Sequence, residues 1–219
     1  MKKYIPILKN TQLFKGVADA EFSAVFSCFE AKKREYKKGE YILSQGNTLG
    51  DIVILVEGSA HIQRDDYWGN RSILSDITVG DMFGEAYVSP NGGPLLNDVI
   101  AVEDSVAIFF KVDKILHPCA AVCSFHSVVM QNLFFSLCEK NKLLVQKLRY
   151  MSGRTTREKL IAYLSEQAKN HNSASFTIPF NRQQLADYLS VDRSAMSNEL
   201  CKMRNDGLLI FRKNQFTLL

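Results

Sequence analysis

No apolar run in the 219 residues reaches the length of a membrane span, so a membrane-crossing helix is excluded. The start, MKKYIPILKN, has two lysines but neither a long apolar core nor a small-residue cleavage site. A secretory signal is therefore not expected. Cysteine is sparse and scattered, at Cys28, Cys119, Cys123, Cys138 and Cys201. An odd number without regular spacing makes no disulfide framework and fits a reducing cytoplasm. A Walker loop, a nucleophile–base pair and paired carboxylates at catalytic spacing are all missing, so neither enzyme activity nor a cofactor is expected.

What is present is ordinary in bulk: 46% hydrophobic and 23% charged residues, as in a soluble globular chain long enough for one large or two small cores. The net charge is only +4. Its placement says more. Residues 152–219 hold ten Lys and Arg against six Asp and Glu, so this last third carries the whole excess. A basic segment on a neutral body is the footprint of a nucleic-acid module, although solvated lysines alone can produce it.

Residues 1 to about 30 are mildly helical. From Glu40 to Lys111, short β-rich runs (YILS, IVILVEG, AHIQ, SILSDITV, VIAV, VAIFF) are punctuated by Gly46, Gly50, Gly58, Gly69, Gly80 and Gly84. That rhythm predicts an antiparallel sandwich or barrel. After Pro118 the chain turns helical to about Met151. Met130, Leu137, Leu144 and Met151 are seven apart, and Phe134, Asn141 and Leu148 fill a second seam. This is a heptad stripe over about three repeats, with Asn141 at a position that sets register and a two-stranded state. The stripe favours pairing with a second copy; packing within one chain, with Asn141 in water, is the other reading.

Ser152 to Thr155 is expected to be a hinge, with Gly153 absorbing backbone change. A helix over about 156–170 follows, with Leu160, Ile161, Tyr163 and Leu164 as its apolar face. A short strand is expected at FTIPF, 176–180. Then comes NRQQLADYLSVDRSAMSNELCKMRNDGLLIF from Asn181. Asn181 caps one short helix, and Asp192 caps a second whose inward residues are Ala195, Met196, Leu200 and Met203. The tight Ser190-Val191-Asp192 connection makes this a helix-turn-helix. Outward on the second helix lie Arg193, Ser194, Ser197, Asn198 and Lys202, types able to read base edges and touch phosphates. Gly207 ends that helix. LLIFRKNQFTLL is a basic hairpin with Arg212 and Lys213 at its tip, a wing.

The glycine-spaced barrel with FGE at 83–85, the long helix and the 181–209 motif resemble the Crp–Fnr superfamily of bacterial transcription regulators. The resemblance implies an α+β chain. Residues 1–117 would form an effector-binding jelly-roll β-barrel, 118–151 a dimerising helix and 152–219 a winged helix-turn-helix. It implies a cytoplasmic homodimer on palindromic double-stranded DNA near promoters, with RNA polymerase a candidate partner and no membrane role. By position, Arg182 and Asp192 would lie at phosphates, and Arg193, Ser194, Ser197 and Asn198 at bases. The family often carries Arg where Asn198 stands and Glu where Ser194 stands.

Members that bind cyclic nucleotides hold the ribose with a Gly-Glu pair and the phosphate with a downstream Arg. Gly84-Glu85 matches the pair. From Ala86 to Phe110 there is no Arg or Lys. A desolvated phosphate needs a cation or several backbone donors, and this stretch offers Asn91, Gly92, Gly93 and Asn97 beside the acidic Asp98. The pocket at Gly84, Glu85 and Asn97 is therefore expected to take an unknown effector other than cyclic AMP, or none. His117, Cys119, Cys123 and His126 form a second sensor candidate. The spacing is not that of a standard zinc site, and packing is the first reading of these cysteines. The alternative is a thiol- or metal-dependent redox sensor acting through Cys119 and Cys123. Family iron–sulfur sensors use an N-terminal cysteine cluster, where this chain has only Cys28.

Overall fold

A computed structural model of the chain describes residues 1–65, 71–88, 93–117 and 123–219. Two compact units result, residues 1–137 and 138–219, each with its own core.

In the first unit, a single-turn α1 (Ile5–Leu8) and α2 (Phe22–Cys28) precede eight strands. These are β1 (Lys32–Tyr36), β2 (Tyr41–Leu43), β3 (Asp51–Glu57), β4 (Ala60–Asp65), β5 (Arg71–Ile77), β6 (Met82–Phe83), β7 (Asp98–Ala101) and β8 (Ser105–Lys111). They form two antiparallel four-stranded sheets, ordered β1-β8-β3-β6 and β2-β7-β4-β5, in a jelly-roll arrangement that is not closed into a ring among the described residues. The expected β region began at Glu40, so the sequence reading missed β1. Its residues KKREY are mostly exposed and charged, a pattern that blunts a sheet edge but hides a strand from hydrophobic periodicity.

The uninterrupted apolar runs of β3 and β8 have one cause: both faces of their sheet are covered. Ile52, Ile54 and Val56, with Val106, Ile108 and Phe110, face a core shared with Tyr4, Leu8, Phe14, Phe22 and Phe29. Val53, Leu55, Ala107 and Phe109 face a second core against Ile42, Leu43, Ala60 and Val99 of the other sheet. Alternation along a strand sends consecutive residues to opposite faces, and here both faces are dry.

A short α3 (Val112–Leu116) follows β8, and the long α4 spans Ser124–Met151. The helix expected from Pro118 is thus described from Ser124 on; Pro118 and Cys119 lie outside the described residues. Phe125, Val129 and Leu133, four apart, pack into the first core.

The second unit contains α5 (Thr156–Asn170), β9 (Ser175–Thr177), α6 (Arg182–Leu189), α7 (Arg193–Asn205), β10 (Leu209–Arg212) and β11 (Gln215–Leu218). The three strands form one antiparallel sheet, β10-β11-β9. Its core joins Leu160, Tyr163, Leu164, Leu185, Ala186, Leu189, Met196, Leu200, Met203, Leu209 and Phe216. Two expected inward residues are not inward: Ile161 and Ala195 are exposed. Each lies next to a buried residue (Leu160, Met196), about 100° around a 3.6-residue helix, and so falls off the apolar stripe.

Candidate DNA-binding surface and effector-side cavity

The two crossed helices of the second unit are terminated by their own side chains. Asn181 accepts a hydrogen bond from the Gln184 amide at 2.9 Å, and Gln184 Oε1 accepts from the Asn181 amide at 2.8 Å. This reciprocal pair satisfies two amides that the first turn of α6 leaves without helical partners. The helix ends at Ser190, which adopts a left-handed φ of 51°. Lys159 on α5 donates its ammonium to the Leu189 and Ser190 carbonyls, at 3.2 and 3.3 Å. A cation on the last carbonyls of α6 offsets their partial negative charge and fixes the turn. Nothing in the helical pattern around Lys159 announced this role.

Asp192 starts α7. Its Oδ1 accepts from the Ser194 hydroxyl at 2.5 Å and the Ala195 amide at 2.7 Å. The Ser194 hydrogen bond, followed by the Ala195 amide, holds the Asp192 carboxyl below its ordinary range. Arg193, Ser194, Asn198 and Lys202 are exposed, and Ser197 is half-buried with its hydroxyl donating to the Arg193 carbonyl at 2.9 Å. Lys202 lies 4.0 Å from Glu199, which also meets Arg157 at 3.6 Å. Gly207, with φ of 74°, terminates α7, and the Leu208 amide reaches back to the Met203 carbonyl.

The hairpin β10–β11 turns at Lys213, whose φ is 54°. Arg212 and Lys213 are exposed at its tip. Arg182, at the start of α6, lies half-buried with its guanidinium over Phe211 at 4.8 Å and Phe216 at 5.1 Å. One of its terminal nitrogens is buried without a hydrogen-bond partner, and burial depresses its basicity.

In the first unit, Gly84 follows β6 with φ of 85°, and a Cβ there would stand 2.6 Å from Leu49 Cδ2. The left-handed φ favours glycine, so Gly84 has a structural reason that needs no ligand. Glu85 and Asn97 are half-buried. Asp98 accepts from the Gln45 amide at 2.7 Å and ties β7 to the segment after β2. Asn91 and Gly92 lie outside the described residues. A cavity of about 690 Å³ opens beside β1 and β2, lined among others by Arg34, Tyr36, Tyr41, Leu49 and Phe109. Gly84, Glu85 and Asn97 are not in its lining. Arg34, whose guanidinium covers the Phe109 ring at 4.6 Å, was missed because β1 was missed.

Residues 33–121 match the family of the cyclic nucleotide-binding domain, and residues 158–219 match that of the Crp-like helix-turn-helix domain. The chain belongs to the Crp–Fnr superfamily of DNA-binding transcription regulators. The cyclic AMP receptor protein of Thermus thermophilus is 21% identical over 92% of this chain and 89% of that protein. A cAMP-dependent protein kinase regulatory subunit of Mycosarcoma maydis is 32% identical over 82 residues, which is 37% of this chain and 15% of the subunit. The structure of CprK complexed with OCPA superposes with a TM-score of 0.61 at 15% identity, covering 90% of both chains. At that identity the likeness is one of fold.

In this Crp–Fnr member the heptad residues are open to solvent. Phe134, Leu137, Leu144 and Leu148 are exposed, as is Asn141, and Met130 is half-buried. No described helix is long and apolar enough to cross a membrane. Of the expected group His117, Cys119, Cys123 and His126, the described residues bring together Cys123 and His126. His117 is exposed and bonded to Asp113, and Cys119 lies outside the described residues. Cys123 and His126 meet Cys28, which the sequence reading had not grouped with them.

Proposed function

We propose that the protein is a homodimeric, sequence-specific regulator that binds palindromic duplex DNA through α7 and the β10–β11 wing. It divides its work among an effector domain (1–117), a dimer helix (118–151) and a DNA-binding domain (152–219). The observation that carries this reading is the exposure of Arg193, Ser194 and Asn198 on the leading turns of α7, with Lys202 exposed in its last turn and a hairpin tipped by Arg212 and Lys213 following. The leading end of a recognition helix reaches base edges, and exposed basic tips meet phosphates. Asp192 serves the surface as a cap; a carboxylate repels phosphate, so its place among the phosphate-proximal residues is positional. Arg182 meets the backbone while bracing the wing.

The solvent-exposed stripe of α4 is the dimer seam. A large apolar stripe left open on one copy is covered in a parallel pair, and Asn141 fixes register there. The effector is not cyclic AMP. The stretch from Ala86 to Phe110 supplies no cation for its phosphate, and Asp98 adds a negative charge there. The cavity beside Arg34 and Tyr36 is the alternative seat for a small effector. DNA binding places the protein in the cytoplasm, where an activating role would add a contact with RNA polymerase; no catalytic step is assigned.

Titration of labelled duplexes with purified protein tests this reading. Binding should weaken steeply with salt. Asn198→Ala should relax preference at one base pair per half-site, by about 1–3 kcal/mol, and leave the others unchanged. Equal binding to all duplexes by both proteins would refute base reading by α7.

A further inference from the structure

Three residues from two distant parts of the sequence meet where α2 and the first turn of α4 pack on the β1-β8-β3-β6 sheet. Cys28 closes α2, Cys123 immediately precedes α4, and His126 lies in the first turn of α4. Their sulfurs and a ring nitrogen all lie within 4.8 Å of one another. Cys28 Sγ is 3.9 Å from His126 Nε2. The site is built into the apolar core: both cysteines pack against it, and the imidazole stacks on Phe125 and meets Phe29 edge-on.

His126 is 3% exposed. Its Nε2 lies 3.2 Å from the Lys114 carbonyl, and its Nδ1 is buried with no hydrogen-bond partner. No tautomer satisfies both nitrogens. With the proton on Nε2, the Lys114 carbonyl accepts it and the Nδ1 lone pair is stranded. With the proton on Nδ1, Nε2 turns its lone pair toward Cys28. A buried polar atom left unpaired is costly and calls for an explanation. In the second tautomer Nε2, beside Cys28 Sγ, can ligate a cation, while Nδ1–H still lacks an acceptor among the described residues.

We propose that Cys28, Cys123 and His126 bind a thiophilic divalent cation of the zinc(II) class. Tetrahedral zinc, at about 2.3 Å to sulfur and about 2.0–2.1 Å to nitrogen, holds its ligand atoms about 3.5–3.8 Å apart. The observed 3.9 Å between sulfur and nitrogen is close to that spacing. Charge agrees as well. On binding, the two thiols release their protons to solvent, and two thiolates cancel the charge of the cation. The bound site is neutral, as an apolar surround requires. Two thiolates and an imidazole suit zinc, whereas an iron–sulfur cluster takes four protein ligands, either four cysteines or two cysteines with two histidines. The cation pins α2 to the start of α4, across 98 residues of sequence.

Cobalt(II) titration of the full-length, reduced and chelator-stripped protein tests the site. The expected result is one cobalt per chain, with thiolate-to-cobalt charge-transfer absorption and the visible bands of tetrahedral cobalt, both removed by zinc. Cys28→Ser and Cys123→Ser should each weaken binding by at least the roughly tenfold that loss of a mere outer-shell partner costs. Cys138→Ser and Cys201→Ser, at exposed cysteines, should leave it unchanged. Because His126 is buried and its variants risk misfolding, the half-buried cysteines decide the question. Absence of the charge-transfer band, its persistence in both cysteine variants, or its loss in a Cys138 or Cys201 variant would overturn the proposal. So would a Cys28–Cys123 disulfide that forms in air while the reduced chain takes up no cobalt. Duplex binding measured on the same samples keeps this result separate from the DNA-binding reading, which does not depend on it.

Discussion

The guanidinium of Arg182 lies over the ring of Phe211, 4.8 Å from its centroid, so the first residue of α6 braces the wing. This contact gives Arg182 a packing role beside its charge. Arg182→Ala should lower stability by about 1–2 kcal/mol and reduce the salt dependence of duplex binding by about one counterion. Arg182→Lys keeps the charge and loses the planar stack. It should lose stability while retaining the salt slope. Equal slopes for wild type and Arg182→Ala would show that Arg182 touches no phosphate.

Asp192 carries a pH dependence whose sign is fixed. The Ser194 hydroxyl and then the Ala195 amide bind its ionised form, so its folded value is below the ordinary 3.8. The stability it contributes is complete above about pH 4 and is lost as pH falls through the lowered folded value. Asp192→Asn should remove part of that acid-side loss. Thermal melts of both proteins between about pH 7 and about pH 3 check this; parallel curves would mean that the cap contributes nothing ionic.

The exposed seam of α4 predicts its own disruption. Leu144→Asp, in the middle of the stripe, should yield monomers in sedimentation and weaken binding to a two-half-site duplex far more than to a single half-site. Asn141→Leu should stabilise the assembly and loosen its restriction to two strands. A Leu144→Asp protein that remains dimeric would place the interface elsewhere.

Gly153 was expected to act as a hinge through backbone freedom. Its φ lies outside the left-handed region, and a Cβ there would stand 2.9 Å from the Lys159 amide and 3.0 Å from Glu158 Cβ. Glu158 meanwhile accepts from the Arg154 amide at 2.8 Å, and Thr155 accepts from the Glu158 amide at 3.2 Å. Gly153 is held in the tight entry to α5 by lack of space. Gly153→Ala should therefore cost about 1–3 kcal/mol as overpacking, read by denaturant titration. An unchanged midpoint would show that the entry to α5 has room for a Cβ.

The parts of this molecule that were legible in the sequence are those written in local patterns. The caps at Asn181 and Asp192, the buried Met196, Leu200 and Met203, and the glycine-punctuated strands all follow from short-range chemistry. β1 was invisible because its side chains are mostly exposed and its only strand signal is pairing with the distant β8, from Lys32 with Phe109 to Tyr36 with Ser105. Arg34 and the cavity it lines were lost with it. Cys28 was set aside as isolated, since only the packing of α2 against α4 brings it to Cys123 and His126. His117, grouped with them by proximity in sequence, turns away to Asp113 because that partner is one helical turn back. Long-range pairing, which periodicity does not encode, accounts for the misses at β1, Arg34 and Cys28; His117 is settled by a local contact.

Selection of random duplexes on the purified full-length protein, with and without cyclic AMP, tests the DNA-binding dimer. The expected result is an enriched palindrome with half-sites about one helical turn apart, recovered equally under both conditions. A site whose enrichment rises with cyclic AMP would show that the missing cation between Ala86 and Phe110 is supplied from elsewhere. No enrichment at any salt concentration, or a lone half-site without a partner, would contradict the reading of α7 and the α4 seam as a dimeric DNA reader.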